Sequence, residues 1–260
     1  MQLESANSGF HLSRGVRLSA LIVLAVVAAA GVMTHAPIAQ PAGYHAFADR
    51  RDVWGIPNFW NVVSNLPFLI VGLIGTAEIA NRRALPLRAL YLSFFAGACM
   101  VAIGSAYYHF APSDLSLVWD RLPMAVMFMA FFSIIVGEHI SERAGPMLFG
   151  PLLVLGIGSV IYWYWTEQAG HGDLRPYIIA QFLPMILIPL ILLLFSPRSP
   201  HARLKWAVLG AYAFAKMFEF ADEQVFALTR IVSGHTLKHF GAALSAYLLL
   251  LAVRRRNPYV

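Results

Sequence analysis

Two histidines lie four residues apart in the stretch IVSGHTLKHFG, which covers residues 231–241. This spacing places the side chains of His235 and His239 on one face of a helix. The residues that follow are strongly apolar, and imidazole is costly inside a membrane unless it has a partner. An isolated pair of this kind also occurs by chance, so its meaning depends on other polar residues nearby.

A second group of polar residues lies in GSAYYHFAPSDLSLVWDRLPM, residues 104–124. Ser105 and His109 are four residues apart and share one helical face, and Asp120 opens the next apolar segment. Each residue alone has an ordinary role. His109 suits the membrane interface, Asp120 suits the N-terminal part of a helix, and Ser105 lets membrane helices approach closely.

Taken together, these residue types predict metal-assisted hydrolysis. Three neutral imidazoles are a typical ligand set for a catalytic zinc, which keeps a water in its remaining position. A nearby carboxylate accepts a proton and later returns it, and a hydroxyl donates to a developing oxyanion. We therefore predict that His109, His235 and His239 bind zinc, that Asp120 is the acid/base, and that Ser105 is the oxyanion donor.

The elements that must position these residues are membrane helices. The chain is 59% hydrophobic and 12% charged, whereas soluble domains carry about 25% charged residues. Runs of about 20 apolar residues span a bilayer as helices, which predicts an all-α integral membrane protein. The eight candidate segments are 16–33, 60–80, 87–109, 120–138, 146–165, 176–195, 203–226 and 237–253.

The basic residues predict how these segments are oriented. Twelve Lys and Arg lie on the side of the two termini and six on the other, so both termini are predicted to be cytoplasmic. The ends that carry His109, Asp120, His235 and His239 then share one level on the outer side. The basic residues occur in short clusters between apolar runs, which explains the net charge of +6 without nucleic-acid binding.

Segment 16–33 is ambiguous because a signal peptide has the same basic flank and small-residue end. Its length favours an uncleaved signal-anchor helix, with cleavage as the alternative. The predicted organisation is an N-terminal tail and anchor (1–36), an extramembrane segment (37–57), a seven-helix bundle (58–253) and a basic cytoplasmic tail (254–260).

Three blocks of the chain resemble the alkaline ceramidases, whose superfamily includes adiponectin/progestin-type receptors and GPI-lipid-remodelling proteins. They are PNFWNVVSNLPFLIVG (57–72), residues 104–124 and GHTLKHFGA (234–242). The resemblance implies a seven-transmembrane-helix bundle, to which segment 16–33 is an addition. It also implies the same zinc ligands, the same roles for Asp120 and Ser105, and hydrolysis of membrane ceramide to a sphingoid base and a fatty acid.

The resemblance is incomplete at a calcium site. Family members that bind calcium have an acidic cluster before the first core helix, including a Glu where this chain has Asn58. A Ca²⁺ site through Asp52, Asn58 and backbone oxygens remains an option, because Ca²⁺ accepts carbonyl ligands. The alternative is that Asn58, Asn61 and Asn65 cap and hydrogen-bond the first core helix.

Two further patterns each have two interpretations. Lys216, Glu219 and Asp222 in AKMFEFADEQ either include a Lys216–Glu219 ion pair that holds the bundle together or form a polar group that tunes the zinc ligands. The YWYW run at 162–165 is typical of an interfacial aromatic belt, with a substrate platform as the alternative.

The function predicted from the sequence is a zinc-dependent intramembrane lipid amide hydrolase. We expect it in an inner membrane of bacterial type, with its site toward the periplasm. One alternative is a heptahelical receptor or sensor with a structural zinc, and another is a hydrolase of a different lipid amide or ester. A transporter is disfavoured because matching broken helices are not evident. An open coordination position beside a substrate cavity would distinguish an enzyme from a receptor.

Overall fold

The computed structural model describes residues 12–196 and 202–255, and this part of the chain is all-α. The helices are α1 (Arg14–Thr34), α2 (Phe59–Val63), α3 (Leu66–Asn81), α4 (Arg88–Phe110), α5 (Asp114–His139), α6 (Ala144–Gln168), α7 (Arg175–Leu194), α8 (Ala202–Phe220), α9 (Asp222–Thr229) and α10 (Gly234–Arg254). Short connections join α3, α4, α5 and α6, which pack side by side in chain order.

Seven helical stretches of the described residues are long and apolar enough to cross a membrane. They are α1, α2 with α3, α4, α5, α6, α7 and α10. The protein is therefore a multi-pass membrane protein, and the predicted all-α class with an added N-terminal helix is confirmed. Helix α8, which the sequence predicts as a further span, has 19 residues but is not among these seven. Its four charged residues, at 203, 205, 216 and 219, lower its mean hydropathy.

Two of the predicted segments are each divided into two helices. The segment predicted at 60–80 forms α2 and α3, and Pro67 lies in the first turn of α3, where a missing N–H costs nothing. The segment predicted at 203–226 ends as α8 at Phe220, and α9 begins with Asp222 and Glu223. Acidic residues favour a helix N-terminus, so α9 starts there.

Helices α4 and α5 form the centre of the bundle and pack along their whole lengths. The buried aromatic residues Phe94, Phe95 and Phe131 of these two helices belong to the main apolar core. Close approach of the two helices depends on Gly104, because a Cβ there would overlap the carbonyl group of Trp119. This contact lies beside Ser105 and Asp120, so the glycine sets the separation of the two helices at the candidate site.

Helix α1 packs on α7 and exposes most of its side chains. Its C-terminal end is held by Arg175, whose guanidinium donates to the carbonyl oxygen of Met33 at 3.0 Å. The same guanidinium binds Asp173 and lowers the pKa of that carboxyl group to about 2. Whether α1 is cleaved stays a prediction, and residues 1–11 and 256–260 of the predicted tails lie outside the described part.

The segment between α1 and α2 crosses one end of the bundle. The backbone N–H of Leu174 donates to the carbonyl of Ile38 at 2.7 Å, and Arg121 donates to the side-chain oxygen of Gln40 at 2.8 Å. These bonds fix the segment over the ends of α4, α5 and α10. As a result, Phe47 is almost fully buried.

Candidate active site

Three histidines meet at this end of the bundle. His109 lies in the last turn of α4, while His235 and His239 lie in the first turns of α10. Their ring centroids are 4.8–4.9 Å apart, and one ligand nitrogen from each lies within 4.8 Å of the others. The structure thus brings together the three side chains that the sequence predicts as metal ligands.

The start of α10 is fixed by contacts around its first turn. The Ser233 hydroxyl accepts from the backbone N–H of Thr236 at 3.1 Å, a typical N-cap. Gly234 lies against the α8–α9 junction, where an added Cβ would overlap the carbonyl oxygen of Phe218. The Asp222 carboxylate accepts from the backbone N–H of His235 at 2.7 Å. These contacts orient the helix turn that carries His235.

Asp222 also joins this turn to the covering segment. Its second oxygen accepts from the backbone N–H of Ala48 at 3.0 Å. Next to Ala48, the ring of Phe47 lies edge-on to His109 and His235, with centroids 4.6 and 5.0 Å away. The aromatic ring therefore covers one side of these two imidazoles.

His239 is oriented by the short helix α2. Its Nδ1 lies 2.7 Å from the hydroxyl of Ser64, and that hydroxyl donates its own proton to the carbonyl oxygen of Asn61 at 3.2 Å. Ser64 therefore accepts from the Nδ1–H of His239, which leaves Nε2 as the lone-pair nitrogen. The side chain of Asn61 also accepts from Thr236 at 2.9 Å, so α2 and α10 are tied together.

The sequence analysis did not find Ser64, and it assigned Asn61 only a role within its own helix. The signal was a run of polar residues, Asn58, Asn61, Ser64 and Asn65, at the start of an apolar segment. All four are buried. Buried polar groups in a membrane protein need partners. The sequence could therefore have predicted that these residues form hydrogen bonds within the bundle, but not that their partners lie on α10.

Ser105 and Asp120 lie beside the histidines. Ser105 is one turn before His109 on α4, and Asp120 is on the facing side of α5; both are buried. The hydroxyl and the carboxylate are close enough to hydrogen-bond. Both side chains border the same cavity as His239, so the predicted acid/base and oxyanion donor reach one space.

This cavity has a volume of about 100 Å³ and is largely apolar. Its polar end carries Ser105, Asp120 and His239, and the rest extends between the helices toward the opposite face of the membrane. The far wall suits an aliphatic chain and is built from side chains that include Phe94, Met127, Phe131, Val208 and Leu209.

The two residues of the predicted calcium site have other partners. The carboxylate of Asp52 accepts from the backbone N–H of Gly55 at 2.9 Å, and the amide of Asn58 donates to the carbonyl of His109 at 2.9 Å. Nearby, Asp49 forms a hydrogen-bonded ion pair with Arg51 that raises the pKa of the guanidinium. The calcium site stays a prediction.

The predicted ion pair between Lys216 and Glu219 is present. Lys238 was not singled out by the sequence analysis, although it binds the other carboxylate oxygen of Glu219 at 2.8 Å. Its ammonium also lies 3.4 Å from Nε2 of His235. Hence the polar group on α8 reaches the histidine cluster through a lysine of α10.

The three histidines fit a metal ion in two respects. Nε2 of His109 and Nε2 of His235 are 3.2 Å apart, close to the separation of about 3.3 Å implied by tetrahedral bonds of 2.0–2.1 Å. Nε2 of His109 therefore faces the cluster, and its buried Nδ1 has no hydrogen-bond partner in the described part of the chain. A bound metal ion would accept the lone pairs of nitrogens that otherwise face one another.

Comparison with curated proteins gives no significant match. The sequence profile of the Ceramidase family matches residues 54–254. The match covers every helix from α2 to α10, and it includes the three histidines, Ser105 and Asp120. The family acts on lipid amides, in agreement with a site that combines a three-histidine cluster with an apolar cavity. The chain belongs to the ceramidase family.

Proposed function

We propose that this protein is a zinc-dependent intramembrane amidase that hydrolyses a ceramide-like N-acyl lipid to a sphingoid base and a fatty acid. The observation that carries the proposal is the meeting of three histidines from α4 and α10 beside a cavity that Ser105 and Asp120 also line. A closed structural metal site would not need an acid/base and an apolar cavity next to it.

His109, His235 and His239 would hold the zinc through Nε2. A zinc ion there would supply a Lewis acid and would lower the pKa of a water in its coordination sphere to about 7. The buried imidazoles suit a neutral ligand state, because burial disfavours their charged form. The hydrogen bond from His239 to Ser64 orients that ring, as outer partners of metal-binding histidines commonly do.

Asp120 would take the proton from the attacking water and return it to the departing amine. The water oxygen forms a bond to the carbonyl carbon, the C–N bond breaks, and the acyl half leaves as a fatty acid. Ser105 lies on the same cavity wall and would donate a hydrogen bond to the carbonyl oxygen as negative charge develops on it. The apolar part of the cavity would hold the acyl chain.

The distribution of basic residues favours cytoplasmic termini, so the site would face the periplasm in an inner membrane of bacterial type. Arg82 and Arg88 lie at the end of the bundle that carries the C-terminus of α10, where Arg82 donates to the carbonyl of Val253 at 2.9 Å. The histidines lie at the opposite end. The orientation can be measured by introducing a cysteine into the loop that carries His171 or into the loop that carries Arg82, and treating intact cells with a thiol reagent that does not cross the inner membrane. The reagent should label the cysteine near His171 and not the one near Arg82. The reverse result would contradict this orientation.

The metal and the acid/base can be tested separately. His109→Ala, His235→Ala and His239→Ala should each lose bound zinc and hydrolysis of an N-acyl sphingoid base. Asp120→Asn should keep zinc and lose activity by about 10²–10⁴-fold, the usual contribution of general acid–base catalysis. Zinc is measured by elemental analysis of the purified protein.

His171→Ala is the matched control, because this histidine is exposed on the loop after α6. It should keep both zinc and activity. Full hydrolysis by a variant of the three clustered histidines, or purified protein that hydrolyses lipid amides with no zinc bound, would contradict the proposal.

A further inference from the structure

Asn65 is a buried residue whose side-chain oxygen has no partner. It is 2% exposed, and its Oδ1 accepts no hydrogen bond within the described residues. The amide orientation is fixed, because Nδ2 donates to the carbonyl oxygens of Asn61 at 2.8 Å and Val62 at 3.3 Å. A flipped amide would bring Oδ1 against two oxygens that can only accept. The unpaired atom is therefore the oxygen, and an unpaired buried acceptor needs a physical reason.

The start of α3 explains why this oxygen finds no partner in its own helix. Asn65 is the N-cap residue of α3 but makes no side-chain cap, although an N-cap asparagine usually accepts from the second or third backbone N–H of its helix. Here the second residue is Pro67, which has no N–H. The third, Phe68, donates to the backbone carbonyl of Asn65 at 3.0 Å. Both usual donors are thus unavailable to Oδ1.

The side chain of Asn65 lines the same cavity as Ser105, Asp120 and His239. It lies at the polar end, because Ser64, the residue before it, contacts His239. Helices α3 and α5 each pack on α4, so Asn65 and Asp120 approach the cavity from the two sides of α4. The cavity volume of about 100 Å³ is below the roughly 300–1,000 Å³ typical of ligand pockets. Entry of a lipid must therefore move these walls apart and bring its polar group between them.

We infer that Oδ1 of Asn65 accepts a hydrogen bond from the amide N–H of the substrate, so that Asn65 selects lipid amides over lipid esters. This inference rests on the proposed amide hydrolysis. The amide N–H is the donor next to the carbonyl carbon that is attacked, and an ester has an oxygen in its place. An ester would leave Oδ1 unpaired against a second oxygen, and sites built to bind an N–H reject analogues that lack it.

The same hydrogen bond would position the departing nitrogen. With its N–H held by Asn65, the nitrogen keeps its lone pair for the proton that Asp120 returns as the C–N bond breaks. The carbonyl oxygen of Asn65 has no proton to give, so it binds the nitrogen without replacing Asp120 as the acid. Its lack of charge also suits a neutral lipid amide.

A matched pair of substrates tests this role. A ceramide with an oleoyl chain and its ester isologue, in which oxygen replaces the amide N–H, have the same acyl chain and the same hydroxyl groups. The readout is kcat/KM for the amide divided by kcat/KM for the ester, because zinc occupancy and the folded fraction cancel from this ratio. Asn65→Leu should lower the ratio by about tenfold or more, the usual effect of losing a buried hydrogen bond.

Two control variants separate the oxygen from the rest of the side chain. Asn65→Asp keeps an oxygen at the position of Oδ1 but lacks the Nδ2 group, so it should retain most of the wild-type ratio. Thr76→Val is the matched control further along α3. The Thr76 hydroxyl is also buried and has no hydrogen-bond partner in the part of the chain that the structure describes, but Thr76 lies outside the cavity lining. Its ratio should equal that of the wild type.

The failures of the two proposals differ. No hydrolysis of the ceramide by zinc-loaded protein would overturn the proposed function and this inference with it. Hydrolysis of the ceramide with an unchanged amide-to-ester ratio in Asn65→Leu would overturn the inference alone. An equal fall of the ratio in Asn65→Leu and Asn65→Asp would also overturn it, because Nδ2 would then be the cause. If the wild type leaves the ester intact, Asn65→Leu should hydrolyse it, and an ester that stays intact in both would contradict the inference.

Discussion

Replacing Ser64 with alanine should weaken metal binding without touching a predicted ligand. The Ser64 hydroxyl lies 2.7 Å from Nδ1 of His239 and is 1% exposed. Alanine removes the hydroxyl that accepts from the Nδ1–H of His239 at a buried position. The ring then also loses the contact that holds Nε2 toward His109 and His235.

The size of the effect follows from this lost contact. A buried donor left without a partner costs about 1–3 kcal/mol, and about 1.4 kcal/mol corresponds to a tenfold change in an equilibrium constant. Ser64→Ala should therefore weaken zinc binding by about 10–100-fold, which is also the usual loss for an outer partner of a metal-binding histidine. Competition with a coloured zinc chelator measures the dissociation constant.

Ser133→Ala is the control for loss of a buried hydroxyl. Ser133 is 0% exposed, and its hydroxyl has no hydrogen-bond partner in the described part of the chain. Its replacement should leave zinc affinity unchanged. A zinc affinity for Ser64→Ala within about twofold of the wild type would refute the reasoning, because His239 would then be oriented by packing alone.

Two further substitutions test the packing of the site and the pH dependence of stability. Gly104→Ala should separate α4 from α5, because the added Cβ would overlap the Trp119 carbonyl. Thermal unfolding should show a loss of about 1–3 kcal/mol in the free energy of unfolding. Gly158→Ala is the control and should be neutral, because nothing lies within 4 Å of a Cβ added there. The contribution of Asp173 to the free energy of unfolding should be fully present above its ordinary pKa of 3.8 and should disappear as the pH falls through about 2. Asp173→Asn should lack this loss when unfolding midpoints are compared between pH 5 and pH 2, and an identical pH profile in the variant would exclude Arg175 as the cause.

The order of the helices and the level of the site could be predicted from the sequence because both follow from one-dimensional patterns. Apolar run length predicts the spans, and the alternating direction of successive spans predicts which helix ends lie together. Those two facts already place His109 and His235 at one membrane depth. The breaks at the starts of α3 and α9 were missed, although polar residues mark both: Ser64 and Asn65 at the first, and Asp222 and Glu223 at the second.

Contacts between distant helices could not be predicted in the same way. Ser64 and His239 are 175 residues apart, and nothing in either local pattern names the other as its partner. The YWYW run shows the same limit within one helix. Trp165 is exposed, as an aromatic belt requires, but Trp163 is fully buried and lies 4.0 Å from the guanidinium of Arg121. A composition pattern does not say which side of a helix faces the bundle.

The histidine cluster lies between two openings of opposite character, and this arrangement favours hydrolysis of a lipid over simple metal binding. On one side, His239 borders the apolar cavity. On the other side, His235 borders a crevice of about 280 Å³ whose walls include Glu219, Asp222 and Glu223, and polar walls of this size admit water. Hydrolysis of a lipid needs an apolar cavity and access to water at one point, because the acyl chain has to stay out of water while one water molecule reaches the carbonyl. A structural metal in a sensor would need neither opening.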